Sequence, residues 1–138
     1  FFTYNKHATH VLIKYIELTP EVPYLNKIYE IITTNFTQLS MDSNGLPLAK
    51  NALRGLGHKY ETKYDLRAQR KCCLISQNAY GNYSLQVAFD VSDNIFNLNF
   101  PELASRRMQT NLQEPQTELQ KLSVQKFSSN VIEKIIDL

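Results

Sequence analysis

The stretches AYGNYSLQVAFDV (residues 79–91) and KFSSNVIEKIIDL (residues 126–138) decide the fold, because they follow one plan. In each, an aromatic residue (Tyr80 or Phe127) precedes a small residue and a polar pair. Two apolar or small residues and then an amide or an acid follow. Recurrence of a short polar pattern within otherwise apolar, helix-like sequence indicates an internal repeat.

Composition favours a helical, folded chain. The sequence has 138 residues, of which 43% are hydrophobic, so it can build a core as one compact domain or as part of an elongated one. Four glycines and five prolines are few, which favours helices over a turn-rich β fold. The formal net charge of +2 is compatible with nucleic acid binding and far weaker than a histone-like signal.

Cysteine and histidine usage predicts a reduced protein without a metal or another cofactor. Cys72 and Cys73 are adjacent, so we expect buried, reduced thiols, and no second cysteine pair completes a zinc site. His7, His10 and His58 have no acidic residue paired with them.

The sequence also predicts a cytoplasmic protein. The first ten residues lack the features of a secretory leader, and no apolar run approaches the roughly 18 residues of a membrane span.

Apolar spacings of three and four predict helices along most of the chain. Composition would permit a strand at 82–91, but its relation to the other segments argues for a helix. Residues 91–114 lack a pattern, and we interpret them as an irregular insertion. We expect the following segments to be helical: 9–18, 25–40, 46–56 with a stop at Gly57, 65–76, a helix beginning near Pro115, and 129–138. The buried stripe expected in the second of these contains Leu25, Ile28, Ile31, Ile32, Phe36 and Leu39.

The helices group into units with a period near 36 residues. Thr9, Leu46, Asn82 and Ser129 open equivalent helices and are separated by 37, 36 and 47 residues, the last interval containing the insertion. Each unit has a helix that ends in leucine or isoleucine and then serine, followed by a turn and a second helix. We therefore predict an α-solenoid with these divisions: a partial unit 1–22, units 23–57 and 58–93, an irregular insertion 94–111, and a partial unit 112–138.

Five residues at the start of each second helix form what we call the pentad. The pentads are THVLI (9–13), LPLAK (46–50), NYSLQ (82–86) and SNVIE (129–133). On a helix, the first and fifth residues lie one turn apart on the same face, and the second flanks them. Stacked units would thus present a ladder of such triplets along one surface.

The segments SQNAYGNYSLQ and SVQKFSSNVIEK resemble Pumilio/PUF repeats, and KHATHVLIKYIE resembles a third. The resemblance covers most of the chain outside 91–114. It implies an all-α, right-handed α-solenoid of armadillo-like helical repeats that binds single-stranded RNA, one base per repeat. In this family the first and fifth pentad residues contact a base edge, and the second stacks between bases.

Carried over, the resemblance assigns a base to each of the last two units. Asn82 and Gln86 match the pair associated with uracil, whose edge offers both donor and acceptor groups to amides. Tyr83 would stack. In the last unit, Ser129 and Glu133 match the pair associated with guanine.

Asn130 would stack in that last unit through its amide plane. Antiparallel binding then predicts 5′-GU-3′ within a UGU element, as for the fourth to seventh units of an eight-repeat protein.

The first two units depart from the family pattern. Thr9 and Ile13 offer one hydroxyl and no amide, although His10 can stack. Leu46 cannot form hydrogen bonds, and Lys50 could contact a phosphate. We therefore expect weaker RNA contacts and relaxed selectivity at the bases 3′ of GU.

The resemblance implies post-transcriptional repression through mRNA 3′-untranslated regions, with deadenylases or translational repressors as partners. No catalytic constellation is present, so we predict no enzyme. The alternative is an armadillo- or HEAT-like scaffold that binds protein and not RNA. Asn82 and Ser129 are also residue types that cap helices, and Arg106-Arg107 in the insertion fits a solvated pair.

Overall fold

The computed structural model describes residues 5–18, 23–56, 71–91 and 118–137, and within them every regular element is an α-helix. The all-α prediction is confirmed, including a helix at 82–91, where composition alone permits a strand. The helices are α1 Lys6–Leu18, α2 Pro23–Thr34, α3 Phe36–Ser40, α4 Leu46–Leu56, α5 Cys72–Ser76, α6 Gly81–Val91, α7 Glu118–Val124 and α8 Ser128–Ile136.

Several sequence predictions fall on other parts of the chain. The insertion 94–111, the helix stop at Gly57, the helix start near Pro115, the pair Arg106-Arg107 and His58 lie outside the described residues. Within the described ranges the longest helix has 13 residues, and none is both long and apolar enough to cross a bilayer.

The segment predicted as one helix over 25–40 is divided at Asn35 into α2 and α3. The Asn35 side chain donates from Nδ2 to the carbonyl oxygen of Ile31 at 2.8 Å, and such back-bonding competes with regular helix geometry. The sequence predicts Ile31 in the buried stripe, but this residue is 50% exposed, so that prediction is wrong. Ile31 follows Ile28 by three residues and precedes Ile32 by one. Because successive residues are about 100° apart around a helix, Ile31 and Ile32 point in different directions.

The rest of that stripe faces the core as expected: Leu25, Ile32, Phe36 and Leu39 are buried, and Ile28 packs against them. Elsewhere, several apolar residues at helical spacings are exposed, and these are Val11, Tyr15, Leu18, Leu74 and Ile136. Periodicity thus locates the centre of each stripe better than its margins, because several apolar residues can lie beside the face that becomes buried.

The second helices of the predicted units, α1, α4, α6 and α8, contact one another in that order, and we call them the second-helix row. The helix before each turn packs against the second helix that follows it: α3 against α4, α5 against α6 and α7 against α8. In addition, α3 contacts α6 and α5 contacts α8. A first helix therefore lies against two successive members of the row, as expected when neighbouring units share a continuous core.

The core is formed between these two sets of helices. The third and fourth pentad residues of α4, α6 and α8 are all buried, and these are Leu48, Ala49, Ser84, Leu85, Val131 and Ile132. Leu39, Ile75 and Leu122, which lie near the ends of the first helices, belong to the same buried cluster. Full burial of an aliphatic side chain of this size contributes about 1.5–3 kcal/mol, so this repeated layer is a principal stabilising feature.

Candidate nucleic-acid interface

The same turn precedes each helix of the second-helix row. At residue Asn78, side-chain Oδ1 accepts hydrogen bonds from the backbone N–H groups of Tyr80 at 2.9 Å and Gly81 at 3.0 Å. These bonds satisfy amide groups that have no partner within the helix. The side-chain oxygens that make this pair of bonds belong to Asn5, Asp42, Asn78 and Gln125.

Each turn fixes the position of the following pentad. The first pentad residue lies four positions after the turn residue, and its backbone N–H donates to the carbonyl oxygen of that residue in all four units. These distances are 2.9 Å for Thr9, 2.9 Å for Leu46, 3.2 Å for Asn82 and 3.0 Å for Ser129. The four pentads, aligned above from their sequence separations, thus begin at the same helical position.

A close approach of two backbones explains the small residue before each pentad. A Cβ atom added to Gly45 would lie 2.7 Å from the carbonyl oxygen of Leu39, and one added to Gly81 would overlap the carbonyl oxygen of Ile75. In the last unit, Ser128 stands at this position, and its Oγ donates to the carbonyl oxygen of Leu122 at 2.6 Å. The turn therefore holds α4, α6 and α8 directly against the ends of the first helices that precede them.

At the first pentad position, the side chains of Thr9 and Asn82 form hydrogen bonds to the preceding turn. Thr9 and Asn82 are only 2% and 1% exposed, although the sequence places them on an open surface. Thr9 Oγ1 donates to the carbonyl oxygen of Asn5 at 2.9 Å. Asn82 Nδ2 donates to the carbonyl oxygens of Asn78 at 2.9 Å and Ala79 at 3.0 Å. Short polar side chains in the first turn of a helix readily form such local bonds, which turn them away from solvent.

The last unit is more open. Ser129 is half-buried, and its Oγ is 3.4 Å from the carbonyl oxygen of Lys126. Glu133 and Asn130 are exposed. The α8 helix thus presents a carboxylate and an amide to solvent, at the positions to which the family resemblance assigns guanine contact and stacking.

In the third unit, Tyr83 is 51% exposed and Gln86 is half-buried. Gln86 Nε2 donates to Asn82 Oδ1 at 3.2 Å, so the predicted uracil-contacting pair is joined. The first two units offer less. His10 is exposed, and Ile13 packs against the core.

Leu46 and Lys50, which occupy the first and fifth pentad positions of α4, are both half-buried.

Polar contacts between neighbouring second helices recur at equivalent positions. Lys134 Nζ in α8 lies 2.6 Å from Asp90 Oδ1 in α6. Asn51 Nδ2 in α4 donates to Glu17 Oε1 in α1 at 3.4 Å. In both pairs, the first residue lies nine positions and the second twelve positions after its own turn residue. These contacts therefore join α1 to α4 and α6 to α8 in the same register.

Gln125 adds a further contact between units. While its Oε1 accepts the two turn hydrogen bonds, its Nε2 donates to the carbonyl oxygen of Gln77 at 3.3 Å. Sequence reasoning missed the turn residues. A signal for them exists, because a side-chain oxygen acceptor stands four residues before every pentad.

The two cysteines are buried, reduced thiols, as predicted. The side-chain hydrogen bond with Cys73 and burial together raise the pKa of the Cys72 thiol far above its ordinary value, so this thiol stays protonated. Thiolate is the reactive form, and Cys72 therefore has a packing role. Within the part of the chain that the structure describes, no group of three or more His, Cys, Asp or Glu residues is arranged to hold a metal ion.

Comparison with known proteins gives no match: no family model, no curated protein and no solved structure is significantly similar to this chain.

Proposed function

We propose that this chain binds single-stranded RNA along its second-helix row, as part of a right-handed α-solenoid of Pumilio type. The observation that carries the proposal is the equivalent placement of two chemically different triplets on packed neighbouring helices. Tyr83 and Gln86 on α6 stand at the same pentad positions as Asn130 and Glu133 on α8. One nucleotide per unit would then meet one triplet.

The third unit suits uracil. Tyr83 is half exposed and offers a flat aromatic face, and stacking of a base on such a face is worth roughly 1–3 kcal/mol. Gln86 carries both a donor and an acceptor, which matches the N3–H and O4 groups on the uracil edge. Gln86 would therefore make the base-edge contact, with Tyr83 beneath the ring.

The fourth unit suits guanine. The Glu133 carboxylate is exposed and can accept hydrogen bonds from guanine N1–H and N2–H₂ together, an edge that other bases lack. Ser129 stands one turn before it, and Asn130 flanks both. Because the RNA would run antiparallel to the chain, these two units would bind 5′-GU-3′ within a UGU element of an mRNA 3′-untranslated region.

In a cell, this activity would serve post-transcriptional repression and mRNA decay in the cytoplasm. The RNA-bound array would recruit a deadenylase or a translational repressor through surfaces away from the second-helix row. In this proposal the chain has no catalytic role, and its selectivity resides in the fifth pentad residues.

Binding assays with matched RNAs test the proposal. We expect a short UGU-containing RNA to bind in a fluorescence anisotropy titration and a G-to-C change to weaken it by about tenfold, corresponding to one lost edge contact. Glu133→Gln should reduce the preference for guanine. Leu46→Ala is the matched control at a pentad position without hydrogen-bonding groups, and it should leave base preference unchanged.

Equal affinity for the UGU and UCU RNAs, or no binding of either, would contradict the proposal. In that case an armadillo- or HEAT-like protein scaffold becomes the better account of the same helices. A change of base preference in Leu46→Ala would contradict the assignment of selectivity to the fifth residues of the last two units.

A further inference from the structure

We infer that Asn82 is a positioning residue that sets the orientation of the Gln86 amide, and that Gln86 alone contacts the base edge in this unit. The inference rests on the proposed RNA binding and departs from it at one point. The sequence predicts that both amides contact uracil directly. In the structure, the amide of Asn82, which lies nearer the turn, is buried.

The two N–H groups of the Asn82 side chain are directed towards the preceding turn. Its side-chain amide has two N–H groups, and these are matched by two acceptors, the carbonyl oxygens of Asn78 at 2.9 Å and Ala79 at 3.0 Å. Asn82 is 1% exposed, so breaking these bonds to reach a base would strand buried polar groups. Its Oδ1 accepts from Gln86 Nε2 at 3.2 Å.

The hydrogen bond between Asn82 and Gln86 determines which atom of the Gln86 amide faces Asn82. Because Asn82 Oδ1 can only accept, the neighbouring Gln86 atom must be Nε2, which leaves Oε1 and the second N–H of Nε2 for a base. The backbone bonds of Asn82 fix its own orientation in turn. These hydrogen bonds thus transmit the orientation of the turn backbone, through the Asn82 amide, to the Gln86 side chain.

Orientation matters because uracil and cytosine differ by the order of donor and acceptor. Uracil offers an acceptor at O4 and a donor at N3, whereas cytosine offers a donor at N4 and an acceptor at N3. A glutamine amide that can rotate by half a turn would satisfy either base. An amide held by Asn82 would satisfy only one, and selectivity between the two pyrimidines would follow.

The last unit supports the same reasoning by contrast. Its fifth residue is Glu133, whose carboxylate has two equivalent oxygens and needs no orientation. Its first residue is Ser129, whose short side chain lies 3.4 Å from a backbone carbonyl oxygen. Asparagine therefore stands where the contacting group is an asymmetric amide.

Asn82→Thr tests the inference, because the first unit already accommodates a buried threonine at this position. Thr9 Oγ1 donates to the preceding turn, and a threonine at 82 can do the same, but it lacks the amide oxygen that accepts from Gln86 Nε2. We expect the preference for uracil over cytosine at this base to fall by about tenfold, mainly through tighter binding of the cytosine RNA. Asn82→Ser, which copies the serine found at position 129, provides a second variant should threonine disturb folding.

A double-mutant cycle separates positioning from direct contact. In a Gln86→Ala background, Asn82→Thr should change neither affinity nor selectivity. A further loss of affinity in that background, or an equal loss for both RNAs in the single variant, would overturn the inference and assign Asn82 a base contact. Far-ultraviolet circular dichroism would verify that each variant is folded.

The free protein gives a readout that does not depend on RNA. In a ¹⁵N–¹H spectrum, we expect the two Gln86 side-chain N–H signals to be well separated and slow to exchange, and to move towards free-amide values in Asn82→Thr. Unchanged Gln86 signals would overturn the inference. If the wild-type chain shows this signature and binds no RNA, the proposed function fails while the Asn82–Gln86 arrangement stands.

Discussion

Replacement of Ser40 by alanine should stabilise the protein, whereas the same replacement at the equivalent Ser76 should destabilise it. Both serines are 0% exposed and lie two residues before a turn residue. Ser76 Oγ donates to the carbonyl oxygen of Cys73 at 2.9 Å. Ser40 Oγ is equally buried and has no hydrogen-bond partner among the residues that the structure describes.

The expected magnitudes follow from this difference. An unsatisfied buried polar group costs about 1–3 kcal/mol, so Ser40→Ala removes a penalty of that order from the folded state. A satisfied hydrogen bond contributes about 0.5–1.5 kcal/mol net, which Ser76→Ala loses. The third equivalent serine, Ser123, is exposed, and Ser123→Ala should change the free energy of unfolding by no more than about 0.5 kcal/mol.

Urea unfolding followed by circular dichroism measures all three variants. With a urea dependence of about 1–3 kcal/mol per molar, a change of 1 kcal/mol moves the midpoint by roughly 0.3–1 M. We expect the midpoint to rise for Ser40→Ala and to fall for Ser76→Ala. If both variants lower it equally, the burial of an unpaired Ser40 hydroxyl is not a cost and the reasoning is refuted.

Gly81→Ala should lower the free energy of unfolding by about 1–3 kcal/mol, because its Cβ would overlap the Ile75 carbonyl oxygen; an unchanged urea midpoint would contradict this close contact. Gln125→Asn should preserve the turn and lose the hydrogen bond to the Gln77 carbonyl oxygen, which lowers the free energy of unfolding by about 0.5–1.5 kcal/mol. A variant as stable as the wild type would show that this bond contributes nothing. Because the pKa of Cys72 is raised in the folded state, only the unfolded thiol ionises near its ordinary pKa of 9.0. Above that pH the unfolded state therefore binds fewer protons than the folded state, and the free energy of unfolding falls by about 1.4 kcal/mol per pH unit. Comparison of unfolding free energies between pH 8 and 10 checks this, and a Cys72→Ala variant with an equally steep decline would contradict it.

The helices and their alignment could be predicted from the sequence, since they depend on local periodicity and on a pattern that recurs. The assignment of 82–91 as a helix shows how, because composition is ambiguous there and the comparison between units is not. The side-chain directions within the pentad could not be predicted in the same way. Asn82 has the residue type of a base reader, but its surroundings include two carbonyl oxygens of the preceding turn, and only the folded backbone shows that they compete for its amide.

The prediction that Ile31 is buried is wrong for a related reason. Its spacing from Ile28 is helical, yet the buried face is decided by which neighbours pack against α2, and Ile32 occupies that face. Local sequence constrains the period of a stripe, whereas tertiary contacts decide its width.

Folding and the proposed RNA recognition would depend on different positions of the same unit. The α4 unit has leucine at the first pentad position, yet the backbone N–H of Leu46 still donates to the carbonyl oxygen of Asp42 at 2.9 Å, and its turn is formed like the others. The signals for folding are therefore the turn residue, the small residue after it and the buried third and fourth positions. The fifth residue makes none of the turn hydrogen bonds, and isoleucine, lysine, glutamine and glutamate stand there in the four units, although Ile13 also packs against the core. If the chain binds RNA as proposed, substitutions at Gln86 or Glu133 would change the preferred base without loss of the fold.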